Sequence, residues 1–114
     1  MRLPSVFIAS SIESLKIAKS LQSYISQEAN VTVWTESSFN PGYSIAESLI
    51  NIAERTDLAV FILGADDFLL TQSSKNIQLR QNILFELGLF IGKLGSSRII
   101  ISLPEHEKVD IPTD

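Results

Sequence analysis

The sequence predicts an α/β domain in which a parallel β-sheet is covered by helices on both faces. Three observations carry this. Short apolar runs of strand length alternate with longer segments of helical period. The run at residues 58–63, LAVFIL, is apolar throughout, as a strand buried on both faces must be. The strand-like runs are separated by segments long enough for a crossover helix, which parallel pairing requires.

In chain order, residues 4–9 (PSVFIA) read as a first buried strand. Ser10 and Ser11 follow as helix-capping residues. Leu15, Ala18, Leu21 and Ile25 form the core stripe of a first helix over roughly residues 12–28. Residues 31–35 (VTVWT) are rich in β-branched side chains and read as a second strand. Residues 37–42 (SSFNPG) are a turn-forming loop. Ser44 is placed to cap a second helix, with Glu47 at the capping-box position and Ile45, Leu49 and Ile52 recurring on one face. The LAVFIL strand comes next, then a polar-leaning loop over residues 64–79. A third helix spans residues 80–95 (RQNILFELGLFIGKLG) and ends at Gly95, and residues 98–103 (RIIISL) form a fourth strand.

The order βαβαβαβ predicts a flavodoxin-like sheet of four or five strands in the order 2-1-3-4, with ligand chemistry at the carboxyl ends of the strands. Residues 1–103 form the domain, and residues 104–114, with their charges and two prolines, read as a boundary or linker toward a further C-terminal domain.

At 114 residues and 45% hydrophobic, the chain is one domain with a real core. It has no cysteine, which excludes disulfides and thiolate metal sites and predicts a cytoplasmic setting. The start, MRLPSVFIAS, lacks the long apolar segment of a signal peptide. No run approaches the roughly 18 apolar residues of a membrane span. A net charge of −4 with nine scattered basic residues argues against a nucleic-acid surface. The single histidine, His106, makes Ser–His catalysis or a His-rich metal centre improbable. Asn30-Val31-Thr32 matches a glycosylation sequon, which reads as chance in a chain expected to stay in the cytoplasm.

The third helix carries the sharpest signal. Glu86 is a carboxylate inside an apolar run. Leu84, Leu87, Ile91 and Leu94 recur at helical spacing, while Ile83, Leu89 and Phe90 fill most of the remaining circumference. Such a helix is buried or packed against a partner. An ionised carboxylate there needs a partner or a ligand, and desolvation pushes its pKa upward. Two readings stay open: a structural carboxylate bonded to Lys93 or a backbone amide, or a functional group lining a cleft.

Around it, the strand ends carry Ser10 and Ser11, then Thr35, Glu36 and Ser37, then Gly64, Asp66 and Asp67, while Asn82 shares the face of Glu86. Helix-one amides suit a phosphate. Trp34 reads as core or interface packing, and Glu36, Asp66 and Asp67 as solvated loop acids. Two aspartates without a third ligand predict no metal site. Gly88, Gly92 and Gly95 suit close helix packing rather than a dinucleotide fingerprint. Phe39 and Tyr43 are either exposed contacts or loop anchors.

These residues resemble the TIR family, and within it the bacterial TIR-like domains of cyclic-nucleotide antiphage signalling, including those at the front of bacterial STING proteins. VFIASSIESL resembles the family's first strand and loop. VTVWTE with FNPGYSIAESL resembles the second strand, BB loop and second helix, and DLAVFILGADD the third strand and acidic loop. RQNILFELGLFIGKLG is the most specific block, matching RDNVxFELGxFIGxLG except for Gln81 in place of Asp; Gly64-Ala65 stands where Thr-Pro is common. The resemblance implies that Glu86 is the catalytic residue of NAD+ cleavage. It also implies that Ser10, Ser11, Trp34 and Glu36 line the nucleotide pocket, with Asn82 beside them. NAD+ is then a substrate and no cofactor is needed. The implied partners are other copies, through TIR–TIR contacts, and a C-terminal domain that senses a cyclic dinucleotide; neither nucleic acid nor membrane is implied. Family members complete the pocket across two subunits, so the 114-residue chain as a dilute monomer is expected to cleave weakly or not at all.

Chemistry explains how one carboxylate suffices. Ordinary glycosidases need two carboxyl groups because the leaving oxygen must be protonated. Nicotinamide leaves NAD+ as a neutral molecule, so stabilising the ribose cation is the main task. Two alternatives remain. A nucleoside deoxyribosyltransferase-like enzyme uses a similar glutamate as a covalent nucleophile and would need an acid such as Asp66 for its neutral base. A non-catalytic TIR scaffold acts through domain contacts only.

Overall fold

In a computed structural model, residues 2–35, 45–64, 67–70, 77–79 and 81–103 are described. The elements are β1 (Ser5–Ser10), α1 (Leu15–Ile25), β2 (Asn30–Trp34), α2 (Ile45–Glu54), β3 (Leu58–Ile62), β4 (Phe68–Leu70), β5 (Ile77–Leu79), α3 (Gln81–Leu94) and β6 (Ile99–Ser102), the last preceded by a 3-10 turn at Ser96–Arg98. The main sheet has the order β2-β1-β3-β6, with parallel pairing throughout. This is the expected 2-1-3-4 order, with β6 as the fourth parallel strand, and the fold is the expected flavodoxin-like α/β fold.

Strand alternation divides the core in two. Phe7, Ala9, Trp34, Ala59 and Phe61 face α2 and α3, meeting Leu49 and Ala53 from one and Ile83, Leu87 and Phe90 from the other. Val6, Ile8, Val60 and Ile62 face α1 through Ala18, with Leu21 and Ile25 packed alongside. The first helix therefore buries the stripe its sequence predicts. The α2–α3 side is aromatic: Phe7 stacks on Phe90 at 4.3 Å between centroids, and Phe61 meets Phe90 edge-on at 5.8 Å. Such offset and edge contacts add to the burial of apolar area. At the amino end of the sheet, Asp57 holds β1 to β3: its Oδ2 accepts the Ser5 N–H at 2.8 Å, and its own N–H donates to the Ser5 carbonyl at 2.8 Å.

Two expectations change. Within residues 64–79, β4 and β5 pair antiparallel, Phe68 opposite Leu79 and Leu70 opposite Ile77. Each has three residues, too few for period-two patterning to show. The third helix is also less enclosed than its composition suggests. Its buried positions are Ile83, Glu86, Leu87 and Phe90, whereas Leu84 is 44% and Phe85 51% exposed. The inward stripe runs Ile83–Leu87–Phe90, with Leu94 packed against it, so Leu84 lies beside the core rather than in it. Gly95 ends the helix at φ +84°, its N–H donating to the Ile91 carbonyl at 2.8 Å. Among the described residues, no helix is long and apolar enough to cross a membrane. Ser44, Phe39, Tyr43 and the 104–114 segment lie outside the described residues.

Candidate functional site

The carboxyl ends of β1, β2 and β3 lie side by side, because Ala9 pairs with Trp34 and Ser10 with Ile62. α3 packs over the sheet face that carries Phe7, Trp34 and Phe61. Trp34 is the last residue of β2, and its ring system sits 6.4 Å from Phe7 inside that core. The apolar body of the indole is thus used in packing, and its N–H is turned to Glu86.

Trp34 Nε1 donates to Glu86 Oε1 at 2.9 Å in a buried bond between residues 52 positions apart. Glu86 is 6% exposed. An indole N–H can only donate, so it meets an acceptor oxygen, and a hydrogen bond to a charged group is stronger than a neutral one. The Lys93 pairing considered from sequence does not form: Lys93 Nζ lies 3.8 Å from Glu54 Oε1, linking α3 to α2 at the surface. Glu86 instead faces the sheet, beside the end of β2.

The other expected residues divide among different surroundings. Ser11 accepts the Ser14 N–H on its Oγ at 3.2 Å, so it shapes the turn that leads into α1. Ser10 is buried, and among the described residues its Oγ has no hydrogen-bond partner. By alternation Ser10 follows Val6 and Ile8 onto the α1 face, opposite the face that holds Glu86. Asn82 is in the first turn of α3, with its side chain outside the described residues, as is Glu36. Of the expected set, the structure brings Trp34 into contact with Glu86 and sets Ser10 on the far side of the sheet.

Asp67 departs from its reading as a solvated acid. It is 2% exposed. Its Oδ2 accepts the Gly64 N–H at 2.7 Å, while its own N–H donates to the Gly64 carbonyl at 3.0 Å. Asp67 closes the turn after β3, an aspartate habit that sequence reasoning has available. Thr35, directly after Trp34, is also buried. The Trp34–Glu86 bond had no local signal, because its partners are distant in sequence. Asp66 lies outside the described residues.

The arrangement provides an oriented carboxylate in apolar surroundings next to the strand ends. It suits the stabilisation of positive charge on a bound molecule.

A family model described as the TIR domain of the CAP12/Pycsar effector protein matches residues 5–114. The chain is similar to the Pycsar effector protein PaPycTIR of Pseudomonas aeruginosa, at 33% identity over 110 residues, covering 96% of this chain and 36% of that protein. It is similar to a CD-NTase-associated protein 12 of a Lachnospiraceae bacterium, at 32% identity over 109 residues, covering 96% and 34% respectively. A third relative is the Pycsar effector protein BcPycTIR of Burkholderia cepacia, at 34% identity over 110 residues, covering 96% of this chain and 36% of that protein. The chain spans about a third of the length of these relatives.

Proposed function

Since the chain belongs to the CAP12/Pycsar effector TIR-domain family, we propose that it is an NAD+ glycohydrolase effector domain of bacterial antiphage defence, with Glu86 as its catalytic carboxylate. The observation that carries this reading is a buried glutamate, oriented by an indole N–H at 2.9 Å, beside the carboxyl end of the sheet.

In the proposed reaction the bond between the anomeric carbon and the nicotinamide nitrogen breaks, and its electron pair goes to the nitrogen. The cationic pyridinium therefore leaves as neutral nicotinamide, and no general acid is required. The ribose is left as an oxocarbenium-like cation. A fixed carboxylate in a water-poor pocket stabilises that developing charge and needs no reorganisation to do so. The Trp34 bond fixes the carboxylate before substrate arrives, which is the preorganisation such stabilisation depends on. Water adds to the anomeric carbon and loses one proton, giving ADP-ribose; attack by a group of the same molecule gives a cyclised product instead.

The regulation we propose is assembly. Copies associate through TIR–TIR contacts, driven by a cyclic dinucleotide bound to a sensor region C-terminal to this chain. The relatives named CD-NTase-associated protein 12 support a link to nucleotide signalling. Ser10, Ser11, Glu36 and Asn82 remain proposed pocket residues, with Ser10 the least direct because of the face it occupies.

The test is nicotinamide release by the full-length protein, with and without a panel of cyclic nucleotides, using deoxynucleosides as the competing substrate. The proposal expects NAD+ cleavage that rises with the activating nucleotide. Cleavage of deoxynucleosides in place of NAD+, or of neither under any condition, overturns it.

A further inference from the structure

The amino end of the sheet holds a polar pocket. By strand alternation Ser5, Asn30 and Thr32 stand on the same face as Phe7 and Trp34. Further along, that face carries the aromatic core; here it carries two hydroxyls and an amide. Across from them the end of α2 contributes Asn51, Arg55 and Thr56, with Ile52 as an apolar wall, and the space between is about 250 Å³. That is room for roughly eight waters and less than a drug-sized ligand fills, so the pocket fits a small polar molecule and is too small for a dinucleotide. Its charge is one-sided, because no acidic residue lines it. The two acids nearest Arg55 in sequence are engaged elsewhere: Glu54 with Lys93 at 3.8 Å, and Asp57 with Arg2 at 3.8 Å and with the Ser5 N–H. Among the described residues, the Arg55 guanidinium has no ion-pair partner, and the side chains of Asn30, Thr32 and Asn51 make no hydrogen bond. The Ile52 carbonyl accepts both the Arg55 N–H at 3.1 Å and the Thr56 hydroxyl at 2.7 Å, which fixes the chain where Arg55 leaves the helix.

We infer that this pocket binds a small carboxylate that also carries a hydrogen-bond donor, an amino acid or a hydroxy acid. Arg55 takes the carboxylate, and Asn30, Thr32 and Asn51 take the polar body. The guanidinium fork matches a carboxylate with two parallel N–H bonds. Two side-chain amides and a hydroxyl offer donors and acceptors together, so they suit a ligand that has both. Helix polarity decides against a doubly charged phosphate. The pocket sits at the C-terminal end of α2, where the macrodipole is negative. That end opposes a dianion and favours an ammonium or hydroxyl hydrogen on the ligand. The pocket opens beside Asn30, the first residue of β2, whereas Glu86 meets Trp34, the last, so the inference does not depend on the chemistry proposed for Glu86.

The test is a titration of isotope-labelled protein, followed by NMR at the backbone amides, with L-serine, L-lactate, acetate and inorganic phosphate as probes. L-Serine or L-lactate should give saturable shifts at the amides of Ser5, Asn30, Asn51 and Arg55, and the tighter of the two identifies the donor. Acetate, which lacks a donor, should bind more weakly than that ligand, and phosphate more weakly still. Arg55→Gln, which removes the guanidinium, should raise the dissociation constant by about tenfold or more. Thr32→Leu, which fills the pocket from β2, should do the same. Both side chains are exposed, so both variants should melt close to the parent. No saturable shift with any probe, shifts confined to other parts of the chain, phosphate or acetate binding tightest, or unchanged binding in either variant each overturns the inference.

Discussion

The indole N–H of Trp34 and the carboxylate of Glu86 meet at 2.9 Å inside the core, joining the last residue of β2 to the second turn of α3. The bond settles two matters together. It gives a buried acceptor its donor, and it fixes where the carboxylate oxygen sits relative to the strand ends. A group held this way is preorganised, whatever it acts on.

Removing the donor should be costly. Trp34→Phe keeps an aromatic ring against Phe7 but leaves Glu86 Oε1 without its indole N–H, lowering stability by about 2 kcal/mol, as for a hydrogen bond to a charged group. Urea unfolding measures it. In a double-mutant cycle with Glu86→Leu, the two changes should couple by about 1 kcal/mol or more; purely additive losses would argue that the bond contributes little.

Two phenylalanines five positions apart on α3 should behave differently. Phe90 is fully buried and stacked on Phe7, so Phe90→Ala should cost about 3–5 kcal/mol. Phe85 is half exposed, and in the monomer Phe85→Ala should shift stability by no more than about 0.5 kcal/mol. Denaturant midpoints on dilute protein compare them directly.

A glycine within α3 and the glycine that ends it should respond with opposite signs. Gly95 has φ +84° and ψ 151°, a backbone region nearly closed to other residues, so Gly95→Ala should destabilise by about 1–3 kcal/mol. Gly92 lies in regular helix with open space around it, so Gly92→Ala should stabilise the monomer by about 0.5–1 kcal/mol. Thermal melts of the two variants, read against the parent, give the signs.

Asp67 should act on the turn rather than on the chemistry. Asp67→Ala removes the acceptor of the Gly64 N–H, leaving the turn after β3 less protected. Hydrogen exchange at the Gly64 amide should accelerate by about tenfold or more, which is the loss of about 1.4 kcal/mol of local protection. Unchanged exchange at that amide would mean the bond is not what closes the turn.

The course of the chain through the sheet was readable from sequence because each strand is a dense apolar run and each crossover helix has a clear period. Leu58–Ile62 announces a central strand by composition alone. The short β4–β5 pair was not readable, since three-residue strands carry no pattern to detect. The inward side of α3 is not readable for a related reason: where nearly every position is apolar, periodicity cannot say which side faces the core. Only packing shows that Leu84 and Phe85 are left out while Glu86 is taken in. Glu86 stood out as a carboxylate in apolar surroundings, but its bond to Trp34 spans 52 residues, and nothing local encodes such a contact. Asp67 was misread because adjacent loop acids normally face water, and its bonds back to Gly64 depend on how the turn folds.

The decisive measurement is nicotinamide release from NAD+ by the activated full-length protein carrying Glu86→Gln, which keeps the size of the side chain and removes its charge. The account predicts a fall of about a hundred-fold or more, with assembly and thermal stability close to the parent's. Turnover within a few-fold of the parent in a folded, assembled Glu86→Gln protein would contradict it.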